Sequence, residues 1–375
     1  MNNPLISILI PTYNRAHLIS DTLESIVMQS YKNVECIIVD DGSSDNTEQL
    51  IATFSEKHPY IYYFKRPSSL AKGPNSCRNY GFSKSKGSII NWFDSDDLYL
   101  PDAFEKIVKH FINDINVVIA KLEIVELLSK NKIKENTILS NHIIEDYFTG
   151  KIAYYVCGPF WSRSFLEKQQ VLFDENLRNL DDWDFNLRML LQNPKVTYLN
   201  EPIIQYQVHE NSLSQEIRKF NFEEIHSEIR AREKMVHILK HKTDSNQSII
   251  NEFHLDRCRF FLKEALLQKH PKKYYLFLKT VNLQFKNLKF KDAFKTVFGF
   301  VVFSVFKKGY KHQILPRKND SPLDIARNPL DGSLYVKGEI LIRLKPGMDV
   351  KDLNEILKRL GGTLISENRA IGIYR

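Results

Sequence analysis

An α/β fold is what this sequence predicts, on three observations. Ile6-Ser7-Ile8-Leu9-Ile10, Cys36-Ile37-Ile38-Val39 and Ile89-Ile90-Asn91-Trp92-Phe93 are apolar runs of strand length. Each runs directly into a polar loop: Pro11-Thr12-Tyr13-Asn14-Arg15, Asp40-Asp41-Gly42-Ser43-Ser44-Asp45-Asn46-Thr47, and Asp94-Ser95-Asp96-Asp97. A helical pattern follows each loop. That is the layout of an α/β sheet whose ligands gather at the carboxyl ends of its strands.

The elements follow in order. His17 to Gln29 carries Leu23, Ile26 and Val27 at helical spacing. Asp45 with Glu48 suits a capping box for the next helix. Ile61 to Phe64 reads as a short strand, and Asn75 as the cap of a helix through Lys86, stopped by Gly87. Pro101 fits a first helical turn, after which Phe104, Ile107, Val108 and Phe111 form one apolar face. Val117 to Val125, Val196 to Leu199 and Ile203 to Val208 read as strands. A helix begins at Leu180-Asp181-Asp182, with acids at its positive end. From Phe220 onward the pattern is helical, aromatic and basic.

Chemistry concentrates in the third loop. Carboxylates brought together at a strand end repel one another and lose hydration, so a fold does not gather them without compensation. A divalent cation supplies it. Oxygen-only ligands suit Mg²⁺ or Mn²⁺, which keep open positions for substrate phosphates.

Composition sets the bounds. A chain of 375 residues is long enough for two or three domains, and its 43% hydrophobic content supports a sizeable core. The net charge of +8 is uneven: Arg257 to Lys318 holds sixteen Lys/Arg against two acids, Glu264 and Asp292, so the remainder sums to −6. Such a block suits an anionic surface. Phe298 to Phe306 is strongly apolar but too short to span a bilayer. It suits a peripheral position beside anionic lipid, the other reading being a buried helix. The cysteines, Cys36, Cys77, Cys157 and Cys258, are dispersed, and no signal-length apolar run opens the chain. A cytoplasmic protein at the inner face of the plasma membrane is expected, with no nucleic-acid partner.

In this order and context, strand-PTYNR, strand-VDDGSSDNT and strand-FDSDD resemble a family 2 glycosyltransferase over roughly residues 4 to 215. The resemblance implies a GT-A nucleotide-sugar-binding fold with a mixed, mostly parallel central sheet. It implies that Pro11, Thr12, Tyr13 and Arg15 line the nucleotide and that Asp41 accepts a hydrogen bond from the base. Lys72-Gly73-Pro74-Asn75-Ser76-Cys77-Arg78-Asn79-Tyr80-Gly81 is similar to a family segment whose arginine, here Arg78, reaches the nucleotide or its diphosphate. Asp94 and Asp96 would form the D-x-D pair, Asp96 as the metal ligand and Asp94 toward ribose or the metal, with Asp97 either a second ligand or a turn cap. Asp181-Asp182 stands at the family's E-D pair, so Asp182 would be the general base, while Asp181 departs from the pattern by one methylene. Asp184 and Arg188 read as a surface i,i+4 pair. His209 resembles a late family element that reaches the metal or diphosphate, although Gln207 replaces an arginine common there. Trp161 and Trp183 belong either to the acceptor cleft or to the core.

The resemblance therefore implies an inverting, Mn²⁺- or Mg²⁺-dependent hexosyltransferase. It would move sugar from a nucleotide-sugar donor, UDP-sugar favoured, to a glycan or lipid-linked acceptor in bacterial surface polysaccharide synthesis. A processive synthase of the same family would add a Q-x-x-R-W motif and spanning helices. No tryptophan here follows an arginine, and no apolar run reaches about 18 residues. A nucleotide-sugar-binding protein without catalysis is the other alternative, and the complete acid set speaks against it. A dinucleotide-dependent oxidoreductase would need G-x-G-x-x-G where Pro-Thr-Tyr-Asn stands. Three regions are expected: a transferase domain over 1–215, a helical basic region over 216–318, and a linker with a β-α-β segment over 319–375. The last resembles part of a subtilisin-type propeptide.

Overall fold

The computed structural model describes residues 3–306 apart from 113, 209–219 and 243–245, together with five short strands between 325 and 374. Two compact units divide the chain, 1–301 and 302–375.

In the first unit the order is β1 (Ile6–Thr12), α1 (Ile19–Val27), β2 (Val34–Asp40), α2 (Thr47–Lys57), β3 (Ile61–Lys65), α3 (Pro74–Lys84), β4 (Ile89–Trp92) and β5 (Leu98–Tyr99). There follow α4 (Ala103–His110), β6 (Val117–Glu126), β7 (Lys132–Glu135), α5 (Ile143–Thr149), β8 (Pro159–Ser162), α6 (Arg163–Leu166), α7 (Asp181–Leu190) and β9 (Val196–Val208). Helices α8 (Phe222–Lys242), α9 (Gln247–Leu267) and α10 (Lys273–Lys286) complete it, with α11 (Phe290–Phe306), which runs past its end at Val301. The strands form one mixed sheet in the order β3-β2-β1-β4-β8-β6-β9-β5, with β7 on β6. Strands β3, β2, β1 and β4 run parallel, as do β6 and β9, while β8 is antiparallel to both β4 and β6. The pairs β5–β9 and β6–β7 are antiparallel too.

Continuous burial of β1, β2 and β4 explains why their sequences are unbroken apolar runs rather than alternating ones. At the end of the sheet where these strands begin, the buried carboxylate of Glu35 accepts from Ser7 Oγ (2.6 Å) and from the amides of Lys86 and Gly87. A Cβ on Gly87 would lie 2.4 Å from Ser7 Oγ, so this crossing requires glycine. At the opposite end Trp92 packs edge-on against Phe173 and Phe185, both 5.0 Å away between ring centres. This aromatic cluster underlies the loops that carry the acids.

Several boundaries differ from the sequence reading. Asn75 lies inside α3, whose N-cap is Gly73, and its amide instead donates to the carbonyls of Asp174 and Leu177. The expected capping box is absent from α2: Asn46 is the N-cap, and Asp45 accepts from the Thr47 amide and hydroxyl. The two strands expected at 196–199 and 203–208 are one, because β9 stays paired with β6 across a register shift near Lys121. No helix among the described residues is long and apolar enough to cross a membrane.

Unit 302–375 contains the antiparallel pair Ile325–Arg327 with Leu334–Val336. A second small sheet joins Ile342–Arg343, Ile373–Tyr374 and Glu367–Asn368. The helix expected around Val350 to Leu360 lies outside the described residues.

Candidate active site

Loops at the carboxyl ends of β1, β2 and β4 build the site. The first two are zipped together: Asn14 turns the chain at φ 52°, its amide donating to Ser43 Oγ and its side-chain oxygen accepting from the Ser44 amide. The Arg15 and Ala16 amides reach Thr47 Oγ1 and Asp45 Oδ2. Of the residues expected at the nucleotide, Pro11 and Thr12 are buried, while Tyr13 is 44% exposed with Lys72 Nζ 4.6 Å from its ring centre. Arg15 contributes its backbone: its carbonyl accepts from Leu18 and Ile19 at the head of α1.

Adjacent aspartates in the second loop have different work. Asp40 is structural, taking the amides of Gly42 and Ser43 and the hydroxyls of Ser43 and Tyr63. Asp41, expected at the base, is bound by Arg66 Nε, and Arg66 is held in turn by the carbonyls of Pro67 and Leu70. Arg66 carries no motif of its own, so sequence reading missed it.

At the end of β4, ligand oxygens of Asp94, Asp96 and Asp97 lie within 4.8 Å of one another. Asp97 is fully buried. One of its oxygens accepts from the Gln207 amide at 2.9 Å, and the other has no hydrogen-bond partner. Burial, and then the Asp96 charge, push Asp97 well above the usual carboxylate range. Burial raises Asp94 as well, against the pull of Arg78. Three converging carboxylates with an orphaned buried oxygen fit a hard divalent cation. Gln207, on β9, also donates from Nε2 to the Asp96 carbonyl at 2.6 Å, and Lys130 Nζ caps its side-chain oxygen at 2.8 Å. His209, the third expected metal ligand, lies outside the described residues.

Arg78 links this cluster to α7. Its guanidinium donates to Asp94 Oδ1 at 2.9 Å, Asp181 Oδ2 at 2.6 Å and Asn75 Oδ1 at 3.0 Å, with Phe173 beneath it at 5.2 Å. The guanidinium fork thus spans two carboxylates. Leu180 turns the chain into α7 in the left-handed region, at φ 57°, and that turn aims Asp181 and Asp182 at the site. Burial, reinforced by Asp181, pushes Asp182 up to about 7, with Arg78 pulling the other way. Tyr155 and Tyr206, rings 4.7 Å apart, stand in the field of Asp97 and Asp182. They are a second group that sequence reading missed, because 51 residues separate them.

One expectation is corrected, and one left open is decided. Asp184 and Arg188 do pair, at 2.8 Å, but Asp184 is fully buried and also bound by Lys234, which reaches Asp174 as well. The pair ties α7 to α8 instead of facing solvent. Both Trp161 and Trp183 are core residues: Trp161 stacks on Phe165, and Trp183 donates to the Tyr147 carbonyl under the Arg232 guanidinium.

A mixed α/β sheet with acids converging at its strand ends, beside a carboxylate poised near neutrality, is an arrangement with the makings of an active site. Residues 7–169, under half of the chain, match the family model for glycosyl transferase family 2. An uncharacterized glycosyltransferase of Rickettsia typhi is 31% identical over 218 residues, 56% of this chain and 65% of that protein. A putative glycosyltransferase of Bacillus subtilis, EpsH, is 27% identical over 232 residues, 60% and 66% of the two chains. The chain thus spans just under two thirds of the length of each. Among solved structures, S. aureus TarS 1–349 with UDP-GlcNAc superposes with a TM-score of 0.57 at 17% identity, over 92% of this chain and 98% of that one. A Pyrobaculum calidifontis mannosyltransferase, PcManGT, in complex with GDP-Man and Mn²⁺, has a TM-score of 0.50 at 15% identity, covering 76% and 81%. These neighbours share the GT-A-type fold. Residues 324–375 match a model described as the Fervidolysin N-terminal prodomain, which agrees in kind with the propeptide resemblance of that segment.

Proposed function

We propose that the protein is an inverting, metal-dependent glycosyltransferase that moves a hexose from a nucleotide-sugar to a glycan or lipid-linked acceptor. The observation that carries this reading is the Arg78 bridge, which joins the acid cluster at Asp94 to Asp181, the neighbour of Asp182. The bridge supports the reading by bringing the acids assigned to the donor beside the carboxylate assigned as base.

Asp96 and Asp94, with Asp97 beside them and His209 as a further ligand, would hold Mn²⁺ or Mg²⁺, which supplies charge neutralisation for the departing nucleoside diphosphate. Pro11, Thr12, Tyr13 and Asp41 bind the nucleotide, with Arg15 at the edge of that loop. Asp182 accepts the proton of the acceptor hydroxyl as its oxygen forms the bond to the anomeric carbon and the bond to the diphosphate breaks. One displacement inverts the centre. Exchanging one bond for another at a single carbon needs no covalent sugar–enzyme intermediate. An Asp182 pKa of about 7 suits this task, since a base matched to working pH is both available and strong enough. Tyr155 and Tyr206 offer aromatic faces on the acceptor side.

A UDP-sugar is the favoured donor, supported by the UDP-GlcNAc complex of TarS. The setting we assign is the cytoplasmic face of the plasma membrane, in surface polysaccharide synthesis. Screening UDP-, GDP- and TDP-sugars for Mn²⁺-dependent thermal stabilisation and nucleotide release tests the reading. Release from one donor class, abolished by chelation, is expected. Neither stabilisation nor release with any donor would refute it.

A further inference from the structure

Helices α10 and α11 leave most of their large apolar side chains outside. Toward the protein, α10 buries Thr280 and Gln284 beside Leu276, and α11 buries Ala293, Thr296 and Phe300. Gln284 Nε2 donates to Thr296 Oγ1 at 2.9 Å across that interface. Toward solvent the same helices present Leu278, Phe285, Phe290, Phe294, Phe298 and Val301, with Phe294 78% exposed and Leu278 66%. On α11, Phe290, Phe294, Phe298 and Val301 recur at a spacing that makes one continuous stripe. The two stripes meet where the Phe285 and Phe290 rings lie 5.8 Å apart, and at the other end Tyr274 packs 5.8 Å from the buried Phe300.

Charge on this face is of one sign. Lys286, Lys291 and Lys295 are exposed and make no ion pair among the described residues. Asp292, the acid of α11, is engaged by Arg259 at 3.2 Å. A contiguous apolar patch of this kind marks an interaction surface. A helix with an apolar face and flanking lysines lies in the plane of a membrane interface, its aromatic groups below the headgroups and its ammonium groups at their level. A second copy docked on this face would oppose lysine to lysine, whereas anionic lipid complements it.

We infer that the outward face of α10 and α11 is a docking surface for an anionic lipid bilayer. The helices lie on the membrane and do not cross it. This surface stands apart from the transfer chemistry, so its test does not depend on donor or acceptor.

Flotation of the full chain with vesicles of phosphatidylcholine, alone or mixed with phosphatidylglycerol, decides the matter. Co-flotation with mixed vesicles that weakens as salt rises is expected, with little on phosphatidylcholine alone. The double variant Phe294→Ser/Phe298→Ser should bind mixed vesicles at least ~10-fold more weakly, since two apolar anchors are lost. Lys291→Glu/Lys295→Glu should abolish the preference for anionic lipid. Both pairs are exposed, so the urea midpoint and nucleotide affinity should match wild type. Three results would overturn the inference: no flotation at low salt, equal flotation with both vesicle types, or a wild-type dimer in sedimentation that Phe294→Ser/Phe298→Ser converts to monomer.

Discussion

At the scale of single residues, the site is a balance of charges around Arg78. Its guanidinium keeps its proton throughout the physiological range, so Asp94 and Asp181 stay fixed on either side of it. Asp96 is outside that clamp and is the carboxylate assigned first to the metal. Asp96→Ala should leave the fold intact, because one repulsive charge leaves the cluster, and should abolish Mn²⁺-dependent nucleotide release. Isothermal titration with Mn²⁺ alongside an activity assay checks this; unchanged metal affinity would remove Asp96 from the ligand set. Asp182 makes a prediction in pH. The base works ionised, and burial followed by Asp181 raises its pKa to about 7, so kcat should climb as pH rises through about 7 and level off above it. A pH–rate profile that is flat between pH 6 and 8, on the order of one unit either side of that value, would contradict the assignment.

At the scale of elements, the sequence disclosed the acids well and their partners poorly. Asp94, Asp96, Asp181 and Asp182 were legible because each sits where an apolar run or helix begins or ends, a local pattern. Arg66 on Asp41, Arg78 across Asp94 and Asp181, and Lys234 on Asp184 were not, since each bridge joins segments distant in sequence and depends on tertiary approach. For the same reason Trp161 and Trp183 could not be divided between cleft and core until their neighbours were known. Glu228 on α8 shows how strongly such hidden bridges act. It is buried, accepts from Arg232 at 2.9 Å and Arg257 at 2.7 Å, and is held down at about 2 against burial's opposing push. A depressed carboxylate adds stability above its unfolded value of 4.5 and loses it as pH falls toward 2. Removing one partner of a buried ion pair typically costs about 3–5 kcal/mol, so Glu228→Gln should lower the urea-derived stability by about that amount at neutral pH, with the gap to wild type narrowing once pH drops below the unfolded carboxylate range. A gap that persists undiminished in acid would mean that packing, not charge, is responsible.

At the scale of the whole molecule, a GT-A-type sheet and its helical extension lie in one unit, and a prodomain-like segment lies in the other. The transferase motifs all fall within the first unit, so deleting residues 320–375 should change turnover by less than about twofold, under ~0.5 kcal/mol of barrier. A much larger loss would assign that segment a part in the site. The central claim is that this assembly transfers sugar through Asp182, and it is tested most directly by Asp182→Asn in the full chain. Asparagine keeps an oxygen for the Trp183 amide, which Asp182 now accepts at 2.7 Å, but cannot take a proton. Donor affinity and Mn²⁺-dependent nucleotide release should be measured together on this variant and on wild type. The account predicts retained donor affinity with a fall in kcat on the order of 10²–10⁴; a kcat near that of wild type would contradict it.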